Sequence, residues 1–156
     1  MDTTLGRLTL NRFNGREVFA VSSATIYMFS HERGVDLNFE IETSAALETC
    51  PDTAELSAQP NAEFTVRVAE HSWTNFVGQS FQIPSGDDPQ SDDEVTRLYN
   101  FQHETTDDKL IDVLEQRAGR YLVRIQGICP DVNYYDGSRA RTDFQIEAWF
   151  APPTAT

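Results

Sequence analysis

The sequence predicts an all-β fold, an antiparallel β-sandwich or barrel of about 8–9 strands with little helix. Apolar side chains recur at every second position in several segments, and connections containing Gly or Pro separate those segments. Stretches with helical spacing are rare by comparison. We interpret residues 1–156 as a single all-β domain, because 156 residues is close to the usual length of one domain.

The alternation is clearest over residues 35–43, where Val35, Leu37, Phe39 and Ile41 share one face. Successive side chains of a strand point to opposite faces, so this segment has one buried and one solvated side. The same rhythm returns in three later segments, at residues 63–70, 120–128 and 142–150. We expect the apolar faces of these strands to meet in one core.

Turn chemistry joins the first strands. Asn14-Gly15 predicts a type I′ hairpin, because these two residue types supply the positive φ angles that such a turn needs. Arg33-Gly34 predicts a second hairpin, and Ser22–Ala24 predicts a bulge in the long strand between the two turns. The expected antiparallel meander has strands at about 5–13, 16–30 and 35–43.

Residues 106–119 have two interpretations. Thr106 and the two acids after it are suited to cap a helix, with apolar residues at helical spacing behind them. Alternatively, Lys109–Gln116 and Arg120–Gly127 form a hairpin, which we favour because the other strands need partners. Connections are expected at residues 44–61 and 84–94, followed by a return to strand at 95–103.

Acidic charge is the strongest compositional feature. The chain has 12 basic and 25 acidic residues, a formal net charge of −13. Residues 34–86 and 87–115 carry −7 and −8, whereas residues 1–33 and 116–156 carry +1 each. Nucleic acid and anionic lipid both require clustered cations, so the sequence argues against both as partners. An acidic face around residues 87–108 suits a basic protein partner.

The chain contains two cysteines, Cys50 and Cys129, each followed by Pro-Asp. The first six residues have neither the basic region nor the apolar region of a secretory signal, so we expect a cytoplasmic protein with reduced thiols. A disulfide and a metal pair remain alternatives.

The acidic loop at residues 84–94 is the more serious metal candidate, for calcium, because calcium prefers six to eight oxygen ligands. No register of the sequence fits an EF-hand loop, so a solvated acidic loop is the simpler interpretation and no cofactor is expected. The candidate ligands are Asp87, Asp88, Asp92, Asp93 and Glu94.

Two aromatic loops are candidates for recognition. Trp73 and Phe76 lie outside clean alternation, and Tyr134 and Tyr135 share a polar loop with Arg139. These residue types bury a large area and keep a polar group, as binding hot spots do. The alternative is that the rings cover the ends of the β core.

These observations favour a non-enzymatic module for protein interaction, self-association or assembly. No phosphate-binding, nucleophile-elbow or zinc-protease motif occurs, so no catalytic residue is assigned. The alternative is a metal-dependent or carbohydrate-active enzyme that uses the acidic loops. An enzyme requires carboxylates that converge in a pocket, whereas an interaction module requires an exposed apolar patch or an accessible sheet edge.

Overall fold

A computed structural model describes residues 5–50, 59–83, 96–100, 102–105, 107–131 and 138–153, and gives the backbone alone for residues 45, 96–100, 102–105 and 107–108. Within these residues, ten strands form one antiparallel sheet that curls into a nearly closed barrel, which confirms the all-β class. Along the sheet their order is β5-β8-β9-β10-β1-β2-β3-β4-β6-β7. The strands are β1 (Gly6–Arg12), β2 (Gly15–His31), β3 (Gly34–Glu48), β4 (Asn61–Val68), β5 (Ser80–Ile83), β6 (Thr96–Asn100), β7 (Gln102–Thr105), β8 (Asp107–Arg117), β9 (Arg120–Cys129) and β10 (Thr142–Phe150).

The chain's first and last strands are neighbours. β1 pairs with β2 on one side and with β10 on the other, with Leu8 opposite Ile146. This pairing brings β9 and β10, from the segment 116–156, beside β1 and β2, from the segment 1–33, and both segments have a slightly positive net charge. The acidic residues 34–115 therefore supply most of the other strands of the sheet.

The alternating apolar residues fill the interior of the barrel. Leu37, Phe39 and Ile41 are at most 2% exposed, and Val35 is half-buried. Rings from opposite walls meet inside, since Phe64 stacks on Phe144 with centroids 5.8 Å apart. Burial of such side chains contributes roughly 1.5–3 kcal/mol each, so the predicted core is the main source of stability.

Two hairpins test the turn predictions. Residues 107–129 form the predicted hairpin and no helix, with Ala118 and Gly119 at φ 52° and 79° between β8 and β9. The hairpin at Asn14-Gly15 is confirmed, but the type I′ prediction is wrong. The two loop residues are Phe13 and Asn14, and Gly15, at φ 140°, already belongs to β2. Positive φ at both loop residues occurs at Ala118-Gly119 instead.

Several boundaries differ from the prediction. The β2–β3 register shifts between Val18 and Ser23, close to the bulge expected at Ser22–Ala24. β3 continues to Glu48, beyond the predicted end near residue 43. The sequence pattern missed β5, which is only four residues long, and merged β6 and β7 into one strand. Within the part of the chain that the structure describes, no helix has the length and apolarity needed to cross a membrane.

Candidate interaction surface

One end of the barrel interior holds a polar cluster, formed by Arg12, Glu17, Asp131 and Thr142. Arg12 donates from Nε and Nη2 to the two carboxylate oxygens of Asp131, at 3.0 and 2.9 Å, and from Nη1 to Glu17 at 3.0 Å. Thr142 donates to Asp131 at 2.8 Å. All three charged side chains are at most 2% exposed. Such a hydrogen-bonded network is stabilising when intact and costly to break.

Strand periodicity explains how these charges enter the barrel. Arg12 follows Leu8 and Leu10 in phase, and Glu17 precedes Phe19 in phase, so both side chains point inward. Asp131 lies just after β9. It contacts Arg12 although the two residues are 119 positions apart in the sequence. The network therefore ties the segment after β9 to the β1–β2 hairpin.

The two cysteines lie buried in the same half of the barrel and do not form a disulfide. Cys50 packs at the β1–β2 turn, where a Cβ built on Gly15 would lie 3.4 Å from its Sγ. Cys129 faces inward at the end of β9, opposite Thr142. Among the described residues, no group of three His, Cys, Asp or Glu side chains is arranged to hold a metal ion.

The opposite end is closed by an aromatic cap, which consists of His71, Trp73, Phe76 and Tyr121. Phe76 has no exposed area, and its ring centroid lies 4.8–4.9 Å from those of the other three in edge-to-face geometry. Trp73 is half-buried and stacks on Tyr121 at 5.7 Å. Trp73 and Phe76 thus occupy core-capping positions, and the Phe76 ring is inaccessible to a partner.

His71 is the basic member of the aromatic cap. Its Nε2 atom is buried and has no hydrogen-bond partner among the described residues. Burial against these rings lowers the pKa of His71, because the charged imidazolium loses hydration there. The cap is therefore most stable with a neutral imidazole.

The remaining predicted site residues are only partly placed. Tyr134 and Tyr135 lie outside the described residues, as do all five candidate calcium ligands in the acidic loop. Arg139 is exposed, and its guanidinium lies 4.8 Å from the centroid of the Phe13 ring. Both the interaction role of the tyrosines and the calcium site stay predictions.

The structure adds a surface that the sequence interpretation did not single out. The tip of the β2–β3 hairpin, which we define as residues 27–36, carries three consecutive exposed apolar side chains. Tyr27, Met28 and Phe29 are 40%, 39% and 57% exposed. Tyr27 and Phe29 lie on the same face with ring centroids 6.4 Å apart, and Met28 lies on the other. Exposed apolar groups on both faces show that the hairpin tip extends beyond the barrel.

The hairpin tip also has an open backbone edge. β1 pairs with β2 only as far as Val21, and Ala151 then takes over through hydrogen bonds to Ala24 and Ile26. Because Ile26 donates towards Ala151, the N–H and C=O groups of Met28 and Ser30 point to that same side. No described strand pairs with them, and the chain continues from Ala151 into two prolines, which lack the N–H needed to extend a ladder.

Charged side chains of the hairpin tip and of β4 lie across β2 from this edge and carry no net charge together. Asp36 accepts from Arg67 at 2.9 Å and lies 3.1 Å from Nε2 of His31. Burial alone would raise the pKa of Asp36, but hydrogen bonds from Arg67 and His31 outweigh it and hold that pKa below its ordinary value. Glu32 and Arg33 in the turn balance one another, so the hairpin tip and Arg67 together are neutral.

A groove of about 350 Å³ crosses the outer face of β9, β10 and β1. Glu147 is the one carboxylate among the described residues that line it, and its Oε2 is 3.1 Å from Nε of Arg124. Trp149 forms one wall beneath the guanidinium of Arg117. Glycoside hydrolysis requires two carboxyl groups across the scissile bond, so the described groove gives no support to the carbohydrate-active alternative.

One sequence signal could have identified the hairpin tip. Ile26, Tyr27, Met28 and Phe29 are four consecutive apolar residues, which breaks the alternation of a half-buried strand. Such a run places apolar groups on both faces and is a liability unless it serves association.

Comparisons of the chain with protein-family models, with curated proteins and with solved structures found no match.

Proposed function

We propose that this protein is a non-enzymatic interaction module that binds another protein strand through the hairpin tip. The observation that carries the proposal is the combination of an open edge at Met28 and Ser30 with the exposed side chains beside it. In strand addition, backbone hydrogen bonds supply affinity and alternate side chains supply specificity. The hairpin tip offers both within five residues of one strand.

The polar cluster and the aromatic cap have structural roles and offer less to a binding partner than the hairpin tip does. The polar cluster is closed to solvent and its charges are mutually satisfied, so it presents no group to a ligand. The aromatic cap buries its most central ring. We also propose a reducing, cytoplasmic compartment, in which the buried thiols of Cys50 and Cys129 would stay reduced.

Affinity capture with the intact chain tests this function. Bait carrying Phe29→Asp introduces a charge at the most exposed ring of the hairpin tip, and we expect it to lose the partners that wild-type bait retains. Leu114→Asp is the matched control, because Leu114 is also an exposed strand residue, at 38%, but lies on β8. Equal capture by wild type and Phe29→Asp would contradict the proposal.

A further inference from the structure

We infer that the strand added to the hairpin tip is β2 of a second copy of this chain, paired antiparallel about a two-fold axis at Phe29. The inference rests on the proposed function and names its partner. A closed two-fold dimer places the same surface on both subunits, so the segment from Tyr27 to His31 must be complementary to itself. Its hydrogen-bonding pattern and its charge both meet this condition.

The available backbone groups select one register. Met28 and Ser30 are the residues whose N–H and C=O groups face the open edge. With Phe29 opposite Phe29 of the partner subunit, each Met28 faces a Ser30, and the two pairs exchange about four hydrogen bonds. A register centred on Met28 would instead need Ile26, whose N–H already donates to Ala151 at 2.8 Å. The Phe29 register leaves that bond intact.

The side chains support the same register. Residues opposite one another in a non-hydrogen-bonded pair have Cα atoms only about 4.5 Å apart, so the two Phe29 rings would meet on one face. Phe29 is the most exposed large apolar residue of the described chain, at 57%. Tyr27 would face His31 of the partner subunit, so no two like charges are placed opposite each other.

Charge favours a second copy over an acidic or basic partner. Each copy carries a net charge of −13, so two copies repel one another over most of their surfaces. The hairpin tip with Arg67 is neutral, with Glu32 and Asp36 balanced by Arg33 and Arg67. Two copies can therefore approach here without the repulsion that their acidic segments produce, whereas a basic partner would be drawn to those segments. Added salt should strengthen the dimer by screening the remaining repulsion.

Sedimentation equilibrium of the intact chain, at concentrations from about 1 μM to 1 mM, tests this inference. We expect the mass to rise towards twice the 17.6 kDa of one chain and to stop there. A mass that stays at that of one chain, or that exceeds that of two chains, would overturn the inference. Phe29→Asp should raise the dimer Kd about tenfold or more, because two carboxylates would face each other, and Leu114→Asp should leave it unchanged.

A charge exchange locates the two-fold axis. Phe29→Asp and Phe29→Lys should each be folded monomers by circular dichroism and sedimentation. An equimolar mixture should form a heterodimer, since opposite charges then face each other at the axis. A folded mixture that stays monomeric would overturn the Phe29 register. Met28→Pro gives a second test, because it removes an edge donor without removing a β2–β3 hydrogen bond, and a persistent dimer in this variant would also overturn the inference.

Different results would contradict the second-copy inference and the proposed function. If the wild-type chain is monomeric but captures another protein through Phe29, the second-copy inference is wrong and the interaction module stands. If the chain forms no dimer and Phe29→Asp leaves all capture unchanged, both are wrong.

Discussion

At one end of the barrel the interior is filled by the polar cluster, and at the other end by the aromatic cap. Arg12, Glu17 and Asp131 make direct charged hydrogen bonds with almost no exposure, whereas Phe76 makes edge-to-face contacts with three rings. Charged contacts of this kind depend on every partner, because removing one leaves buried polar groups of the others without their hydrogen bonds. Ring contacts tolerate change more gradually, since each pair contributes about 0.5–1.5 kcal/mol.

The comparison also separates stability from recognition. The polar cluster is buried and holds together segments that are far apart in the chain. The hairpin tip is at the end with the aromatic cap and exposes apolar groups that contribute little to the barrel's own core. We therefore expect substitutions in the polar cluster to change folding and substitutions at the hairpin tip to change association.

The largest expected effect is at Asp131. Asp131→Ala removes the carboxylate that accepts two hydrogen bonds from buried Arg12 and one from Thr142, and we expect it to lower the free energy of unfolding by about 3–5 kcal/mol in urea titrations. Glu48→Ala is the control, because Glu48 also binds an arginine, Arg16, but both side chains are about half exposed. That change should cost less than about 1 kcal/mol. Equal losses would remove the distinction between the buried network and a surface ion pair.

A smaller effect is expected in the aromatic cap. Phe76→Leu keeps an apolar side chain of similar size but removes the edge-to-face contacts, so we expect a loss of about 1–2 kcal/mol. Val77→Ala is the control at the next position, where the side chain is 44% exposed, and should be nearly neutral. A Phe76→Leu loss as large as that of Asp131→Ala would show that the two ends do not differ as proposed.

A substitution in the turn between β8 and β9 should raise the stability of the protein. Ala118 has φ 52°, in the left-handed region that a Cβ disfavours. Ala118→Gly should therefore raise the melting temperature, with a gain in the free energy of unfolding of about 0.5–1 kcal/mol. Replacing the neighbouring Gly119, at φ 79°, by Ala should act in the opposite direction. A loss of stability in Ala118→Gly would contradict the assigned turn geometry.

The smallest effect concerns pH. The folded state lowers the pKa of His71 below its ordinary value of 6.5, so the unfolded chain binds the proton more tightly than the folded chain. Stability linked to His71 is therefore present above about pH 6.5 and is lost as pH falls below it. His71→Phe should flatten this part of the pH dependence of the melting temperature. An unchanged slope would show that His71 titrates as it does in the unfolded chain.

Sequence periodicity predicted the class of fold and much of the core, because alternation records directly which side chains face inward. It did not predict the polar cluster, although Arg12, Glu17 and Lys109 each stand in phase with buried apolar neighbours. Their burial depends on partners such as Asp131, which only the pairing of β10 with β1 brings near. A charged residue in phase with an apolar face is therefore a signal of such a network.

The exposure of the hairpin tip could not be predicted from the sequence, for a different reason. The apolar run at residues 26–29 is visible in the sequence, but whether it is buried depends on where neighbouring strands end. The pairing of Ala151 with β2 and the prolines after it leave Met28 and Ser30 beyond the last described ladder bond. Edges of a sheet are properties of the topology and cannot be read from local pattern alone.

Amide hydrogen exchange at Met28 and Ser30, measured in dilute and in concentrated solution, tests the proposed edge most directly. We predict rapid exchange of both amides in dilute solution and at least tenfold slower exchange at concentrations where the dimer forms, with Phe29→Asp abolishing the difference. The amides of Tyr27 and Phe29, which face β3, should be protected at both concentrations. Exchange at Met28 and Ser30 that is equally fast at every concentration would contradict the account.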